Sequence, residues 1–246
     1  MRISLRIAAT MLAAFLAPGL LGAAVFKLFP VRLELTPEQP VQTMTIENDS
    51  DEVSRVQLRL YAWRQEGDRD IYEETRDVLA NPGLFEIAPR RTQVARFGLR
   101  TSSGRAEKAY RVFLEEIPTE RPSLPGEVRT LLRISVPIFV PPAQPAARLS
   151  WRLVPAEGGK IAFLVQNEGN VHVQLNRLTL KRTGDATLGS EDMSVYLLPG
   201  TARRVLLGVR SPPRPGETLK LEAMTDQADL SVDLVLEAAA HEAGHP

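Results

Sequence analysis

The sequence of 246 residues contains no cysteine, three histidines and no surplus of charge, with 30 Lys+Arg against 30 Asp+Glu. Without cysteine there is no thiol nucleophile, no disulfide, no thiolate zinc site and no cysteine-held iron–sulfur cluster. Three histidines leave little for imidazole metal centres or proton relays. A neutral balance argues against nucleic acid as a main partner, because covering phosphates takes a clear excess of Lys and Arg. One formal catalytic pattern exists, His241-Glu242-Ala243-Gly244-His245, which spells H-E-x-x-H. That chemistry needs a rigid helix, a pocket and a third ligand. Gly244 weakens any helix here, Pro246 follows at once, and the remaining histidine is His172. The expectation is a protein without metal, cofactor or catalysis, with a tail-centred metalloenzyme as the reading to reject.

The N-terminus does carry an organised pattern. Arg2 and Arg6 precede an uncharged, mostly apolar stretch over residues 7–24 that ends in Gly22-Ala23-Ala24. A basic region, an apolar region and a small-residue site make an export signal, with cleavage expected after Ala24. An uncleaved anchor is the alternative, for which this stretch is marginally long. Cleavage would leave no stable membrane insertion. An exported chain without disulfides must take its stability from buried core.

Beyond residue 24, helical periodicity is nearly absent and alternation is common. Residues 29–35 place Val31, Leu33 and Leu35 on one side, with Arg32 and Glu34 on the other. Residues 44–46, 56–63, 84–87, 94–99, 109–117 and 128–140 follow as strand candidates, separated by turns rich in Asp, Gly, Pro and Ser. Pro141, Pro142 and Pro145 then stiffen a linker. Alternation resumes at 149–154, 160–166, 171–181, 194–198, 203–209, 219–224 and 230–236. The turns at 157–159 and 167–170 suit hairpin connections. The fold class is therefore all-β, with two sandwich domains. The expected layout is a signal peptide at 1–24, domains at 25–142 and 149–237, a linker at 143–148 and a tail at 238–246.

Three segments carry a resemblance. Ala109-Tyr110-Arg111-Val112-Phe113-Leu114-Glu115-Glu116-Ile117-Pro118 resembles a strand motif of periplasmic pilus chaperones, the PapD-like family. Leu132-Arg133-Ile134-Ser135-Val136-Pro137-Ile138-Phe139-Val140 resembles the strand that follows it, and residues 29–35 resemble the family's first strand. The short loop at 119–127 suggests the branch that builds archaic, spore-coat-like pili. The resemblance implies two immunoglobulin-like domains set as a boomerang, located in the periplasm. It implies pilin subunits as clients, completed by a strand lent by the chaperone and then passed to an outer-membrane usher.

The residues allow that role. Val128, Thr130, Leu132, Ile134, Val136, Ile138 and Val140 share one face at period two. Such a face suits either insertion into a client's groove, centred on Val128, Thr130, Leu132 and Ile134, or an ordinary core strand. The resemblance also implies that Arg32 grips the client's terminal carboxylate together with a lysine on the donor strand, a solvated Arg32 being the alternative. Here the sequence departs from the family, since Pro137 stands at the lysine's place. Either Arg133 substitutes, roughly 13 Å along the strand, or Arg32 acts alone. Finally, Arg96, Glu107 and Asp226 align with a trio of charges that bridges the two domains, unless each is simply solvated. A secreted two-domain binding or structural module is the competing reading of the whole.

Overall fold

In the computed structural model, residues 26–118, 130–182, 184 and 186–236 are described. Among them there are seventeen strands and no helix. The first ten build an N-terminal sandwich. One of its sheets has the order β1-β3-β8-β6, from β1 (Phe26–Phe29), β3 (Val41–Asn48), β8 (Thr92–Leu99) and β6 (Val78–Asn81). The other has the order β2-β10-β9-β4-β5, from β2 (Leu33–Glu34), β10 (Arg133–Val140), β9 (Lys108–Ile117), β4 (Ser54–Glu66) and β5 (Arg69–Glu74), with β7 (Leu84–Ile87) also on β4.

Alternation decides which side chains meet between the sheets. Met44 and Ile46 of β3, Ala95 and Phe97 of β8, Tyr110, Val112 and Leu114 of β9, and Val136, Ile138 and Val140 of β10 form one core. Residues one step away on each strand point outward.

Seven strands form the C-terminal sandwich. Its sheets are β11 (Leu149–Ala156), β12 (Lys160–Asn167) and β15 (Ala202–Gly208), and β14 (Thr187–Leu197), β13 (Val173–Arg182), β16 (Thr218–Thr225) and β17 (Leu230–Val235). Phe163, Leu175, Leu178, Leu180, Leu197, Leu207 and Leu221 lie at the centre of its core. On β13 a bulge falls between Leu175 and Arg177. The extra residue shifts the alternation by one, so Val173 and Leu175 face inward, followed by Leu178 and Leu180.

Two expectations change. The run 29–35 is not one strand. The chain leaves the first sheet after Phe29 and joins the second at Leu33, where β2 runs parallel to β10 through Ile138↔Leu33 and Phe139↔Glu34. Val31, in the crossing, is 70% exposed, whereas Leu33 is 1% exposed, so the shared apolar side holds for Leu33 and Leu35 alone. Pro30, with no N–H to donate, stands at the crossing. The long candidate at 128–140 begins its ladder only at Arg133; Thr130 and Leu132 precede it, and Val128 lies outside the described residues. The 119–127 loop, the 1–24 segment and the His241–His245 pattern lie outside them as well.

The linker is fastened as well as stiff. The Asn170 Nδ2 donates to the Gln144 carbonyl (2.9 Å), and the Asn170 backbone N–H donates to that of Ala146 (2.9 Å). Gly169 makes this approach possible, since a Cβ there would lie 2.3 Å from the Ala146 carbonyl oxygen.

Candidate functional site

Strand β10 is the first element of the site. Its inner side pairs with β9 along its whole length, from Arg133↔Glu115 to Val140↔Lys108. Its outer side meets β2 at two residues only. The Leu35 N–H donates to the Phe139 carbonyl (2.9 Å), so the main-chain groups of Phe139 face outward. The Glu116 N–H donates to the Leu132 carbonyl (2.9 Å), so those of Leu132 face β9. With period two, Arg133, Ser135 and Pro137 aim their backbone groups at the open edge. Pro137 has no N–H to offer there, and its carbonyl is taken up by the Ile138↔Leu33 bridge to β2. Among the described residues nothing pairs with this edge above Ile138. The side chains of Val136, Ile138 and Val140 are committed to the chain's own core, and Ile134 packs partly against it.

The outward face of the same sheet is the second element. Phe113 is met edge-on by Tyr61 (5.5 Å between centroids) and by Tyr72 (5.2 Å). Arg133 lays its guanidinium over Phe113 at 4.2 Å and pairs with Glu115 at 3.0 Å. Its charge is thereby drawn onto the sheet rather than held out over the edge. One step along the sheet, Arg111 sits opposite Pro137 in register, with its guanidinium 3.8 Å from the Trp63 ring centroid.

The third element joins the domains. Trp63, Ala109, Phe139 and Leu198 form a buried cluster, with Tyr196 packed against it. The Gln65 side chain accepts from the Leu198 N–H (3.0 Å) and the Thr201 hydroxyl (2.9 Å), and donates to the Tyr196 carbonyl (3.0 Å). Beside this lies His172, 5% exposed and stacked on Phe139 at 3.5 Å. Its Nδ1 is 2.7 Å from Glu107 Oε1 and its Nε2 is 3.1 Å from Asp226 Oδ2. An ionised carboxylate only accepts, so both ring nitrogens must donate and the ring is an imidazolium. Burial works against that charge, but the hydrogen bonds to Asp226 and Glu107 outweigh it and hold the His172 pKa above the ordinary histidine value. Arg32 completes the chain, donating Nη1 to Asp226 Oδ2 (2.7 Å) and Nη2 to Gln174 Oε1 (3.0 Å). Burial alone would raise the Asp226 carboxyl. His172, the Gln174 N–H and Arg32 together hold it below the usual carboxylate range.

The residues singled out in the sequence are thus only partly brought together. Glu107 and Asp226 meet through His172, and Arg32, 37% exposed at its side chain, joins them. Arg96 does not. It is exposed on β8, in the other sheet of the N-terminal sandwich, because Ala95 and Phe97 take the inward positions. The cation between Glu107 and Asp226 is the histidine. Sequence reasoning passed over His172, Arg111, Tyr196 and Gln65. The available signals were a histidine between Val171 and Val173, and an arginine inside the apolar run 109–114.

Comparison with known proteins agrees with this architecture. Residues 25–146 match the family described as pili and flagellar-assembly chaperone, PapD N-terminal domain. No curated protein sequence matches the chain. Among solved structures, it is similar to the CsuC–CsuE chaperone–tip adhesion subunit pre-assembly complex from archaic chaperone-usher Csu pili of Acinetobacter baumannii. That likeness has a TM-score of 0.63 at 18% identity, over 87% of this chain and 100% of that one. It is also similar to the E. coli chaperone DraB (TM-score 0.55, 18% identity, 88% of this chain and 98% of that one). The Salmonella enterica SafA pilin in complex with the SafB chaperone gives a TM-score of 0.56 at 16% identity, over 86% of this chain and 96% of the matched one. Through its N-terminal domain the chain belongs to the PapD-like family of pilus-assembly chaperones, and its two-sandwich fold is similar to that of the solved chaperones.

Proposed function

We propose that this chain is a periplasmic chaperone that completes pilin subunits with its own segment 128–140, which ends in β10, and passes them to an outer-membrane usher. The observation that carries the reading is the outward edge of β10, whose Arg133 and Ser135 backbone groups face no strand of the described chain. A pilin lacking its last strand would pair there, with main-chain bonds for affinity and side-chain contacts for register. Val128, Thr130, Leu132 and Ile134 are the side chains proposed to enter the client. Arg32 is proposed to hold the client's carboxylate, either with Arg133 farther up the strand in place of the lysine or alone. Energy would come from completing the client's sheet, without catalysis or nucleotide. The archaic branch is the proposed subgroup.

The test is co-expression with a pilin carrying its native C-terminus. The reading expects the pilin to accumulate only with this chain and to co-purify one to one. Equal pilin solubility without it rejects the reading in favour of a two-domain binding or structural module. Arg32→Gln should abolish the rescue. Because Arg32 also pairs with Asp226, Asp226→Asn serves as the control that disturbs the same contact while leaving the arginine in place.

A further inference from the structure

Among the described residues, the polar contacts between the two sandwiches fall into three sets. In the first, the β4–β5 hairpin reaches the C-terminal domain. Gln65 binds Leu198 and Thr201, the Asp68 carboxylate accepts from the Arg204 N–H (3.2 Å), and Asp70 pairs with Arg203. In the second, the Glu107 N–H donates to the Asn170 carbonyl (2.8 Å), and the Asn170 Nδ2 to the Arg105 carbonyl (3.4 Å). Neither set uses a group whose ordinary pKa lies between pH 6 and pH 9. The third set runs through His172, the one side chain in these contacts that titrates near neutrality by its nature.

That third set is a closed path. Glu107 of the N-terminal sandwich meets Nδ1, Asp226 of the C-terminal sandwich meets Nε2, and Arg32 of the N-terminal sandwich returns to Asp226. Glu107 Oε1 also accepts the His172 N–H (2.9 Å), and Asp226 Oδ1 the Gln174 N–H (2.7 Å). The other neighbours are rings, Phe139 of β10 stacked at 3.5 Å and Tyr196 of β14 at 5.9 Å between centroids. Arg111 of β9 lies over the Trp63 and Tyr196 rings, and Lys108, next to Glu107, donates to the Thr101 hydroxyl (2.7 Å). The ring's charge therefore answers to two carboxylates, with Arg32 as the opposing cation.

A neutral imidazole has one N–H for those two acceptors. Whichever nitrogen keeps it, the other turns a lone pair on a carboxylate oxygen, and that contact must open. A lone pair at Nδ1 unties Glu107 and breaks the bridge between the domains. A lone pair at Nε2 drives Asp226 off the ring, and Arg32 is bound to Asp226. Either way the path is cut. The side chains of His172, Glu107 and Asp226 are each less than a tenth exposed, so bulk water does not reach the gap while the sandwiches stay in place. Moving one sandwich against the other relieves it.

We propose that His172 is a proton-operated latch on the angle between the two sandwiches. Protonated, it fixes one orientation; neutral, it releases a spread of orientations about the remaining contacts. The latch goes beyond the chaperone reading and needs no client. Burial opposes the ring's charge, but the hydrogen bonds to Asp226 and Glu107 outweigh it. Release therefore falls on the alkaline side of the ordinary histidine value.

The chain has no cysteine, so Thr43→Cys and Ser231→Cys, one exposed site in each sandwich, accept a pair of dyes. The distribution of distances between them is read by single-molecule energy transfer from pH 6 to pH 9. The ring is followed by NMR in the full chain with His241 and His245 changed to Gln, which leaves His172 as the single histidine. One narrow distribution is expected at pH 6. It should broaden as the ring loses its proton, with a shared midpoint above about 6.5. His172→Gln should give the broad distribution at every pH. Glu107→Gln, which keeps the ring, should lower both midpoints by about one unit or more. Should His172→Gln not fold, Glu107→Gln carries the comparison. A distribution that stays narrow while the ring deprotonates overturns the latch. So does a ring midpoint at or below about 6.5, a ring still protonated at pH 9, or a narrow distribution in His172→Gln.

Discussion

The two sandwiches solve one corner in the same way and their edges in opposite ways. At the end of β3, Asn48 accepts from the Ser50 N–H (3.1 Å) and donates to the carbonyls of Glu52 (2.7 Å) and Ile87 (3.0 Å). At the end of β12, Asn167 accepts from the Gly169 N–H (2.9 Å) and donates to the carbonyls of Val171 (2.7 Å) and Leu197 (2.9 Å). The two local spacings are identical, the third partner lies 39 residues from Asn48 and 30 from Asn167, and both asparagines are fully buried. The edges differ. In the C-terminal domain, β14 exposes Ser190, Glu191 and Asp192 and pairs with β13 through two irregularities, while β11 is met by Leu236 at Leu153. Charges and bulges of this kind discourage further pairing. In the N-terminal domain, β10 has its edge covered at the foot only, and Arg133 is folded down onto Glu115 and Phe113. Under the proposed function, it is this unblunted edge of β10 that would turn a common architecture into a binding protein.

The largest effect should come from the cores. Phe97→Ala should destabilise the N-terminal sandwich, and Phe163→Ala the C-terminal one, by about 3–5 kcal/mol each. Urea unfolding followed by Trp63 or Trp151 fluorescence would assign the loss to its domain. Next come the corners. Asn48→Ala and Asn167→Ala each strand buried main-chain groups and should cost about 2–3 kcal/mol, with matching values if the two corners are equivalent.

The clasp between the domains should be smaller and dependent on pH. Replacing His172 by Gln should cost about 1.5–3 kcal/mol at pH 6. The His172 pKa is raised on folding, so its contribution is complete below the ordinary histidine value. It is lost as pH rises through the folded-state value. The difference between wild type and His172→Gln, followed by thermal unfolding from pH 6 to pH 9, should therefore shrink. A difference that grows with pH would reject the imidazolium. The smallest effect concerns the edge. Pro137→Ala returns an outward N–H and should tighten client capture by about 1 kcal/mol, measured as pilin dissociation rate, while leaving unfolding of the C-terminal domain unchanged.

Much of this organisation was legible in the residues. Alternation located most strands of both sandwiches, because a side chain on a pleated strand has one face to bury and one to expose. It failed at residues 29–35, where a change of sheet separates Val31 from Leu33, at β5, whose apolar residues are only Ile71 and Tyr72, and at β6, whose four residues are too few to show a period. The candidate site was legible in part. Arg32, Glu107 and Asp226 stood out, but Arg96 was grouped with them, and His172 is the group that meets both carboxylates.

By itself, the sequence determined what this protein is built without: no thiol chemistry, no charge surplus, no helix-forming pattern beyond residue 24. It also determined the two alternating β domains and the apolar strand before the proline linker. Those properties depend on residue type and local period, which need no partner. The tertiary structure decided which edge stays open, which cation faces which carboxylate, and that Arg111 is held between rings from two domains. Each of these depends on residues up to almost two hundred positions apart, as Arg32 and Asp226 are. Only packing fixes such distances, and with them the desolvation that gives a charge its chemistry.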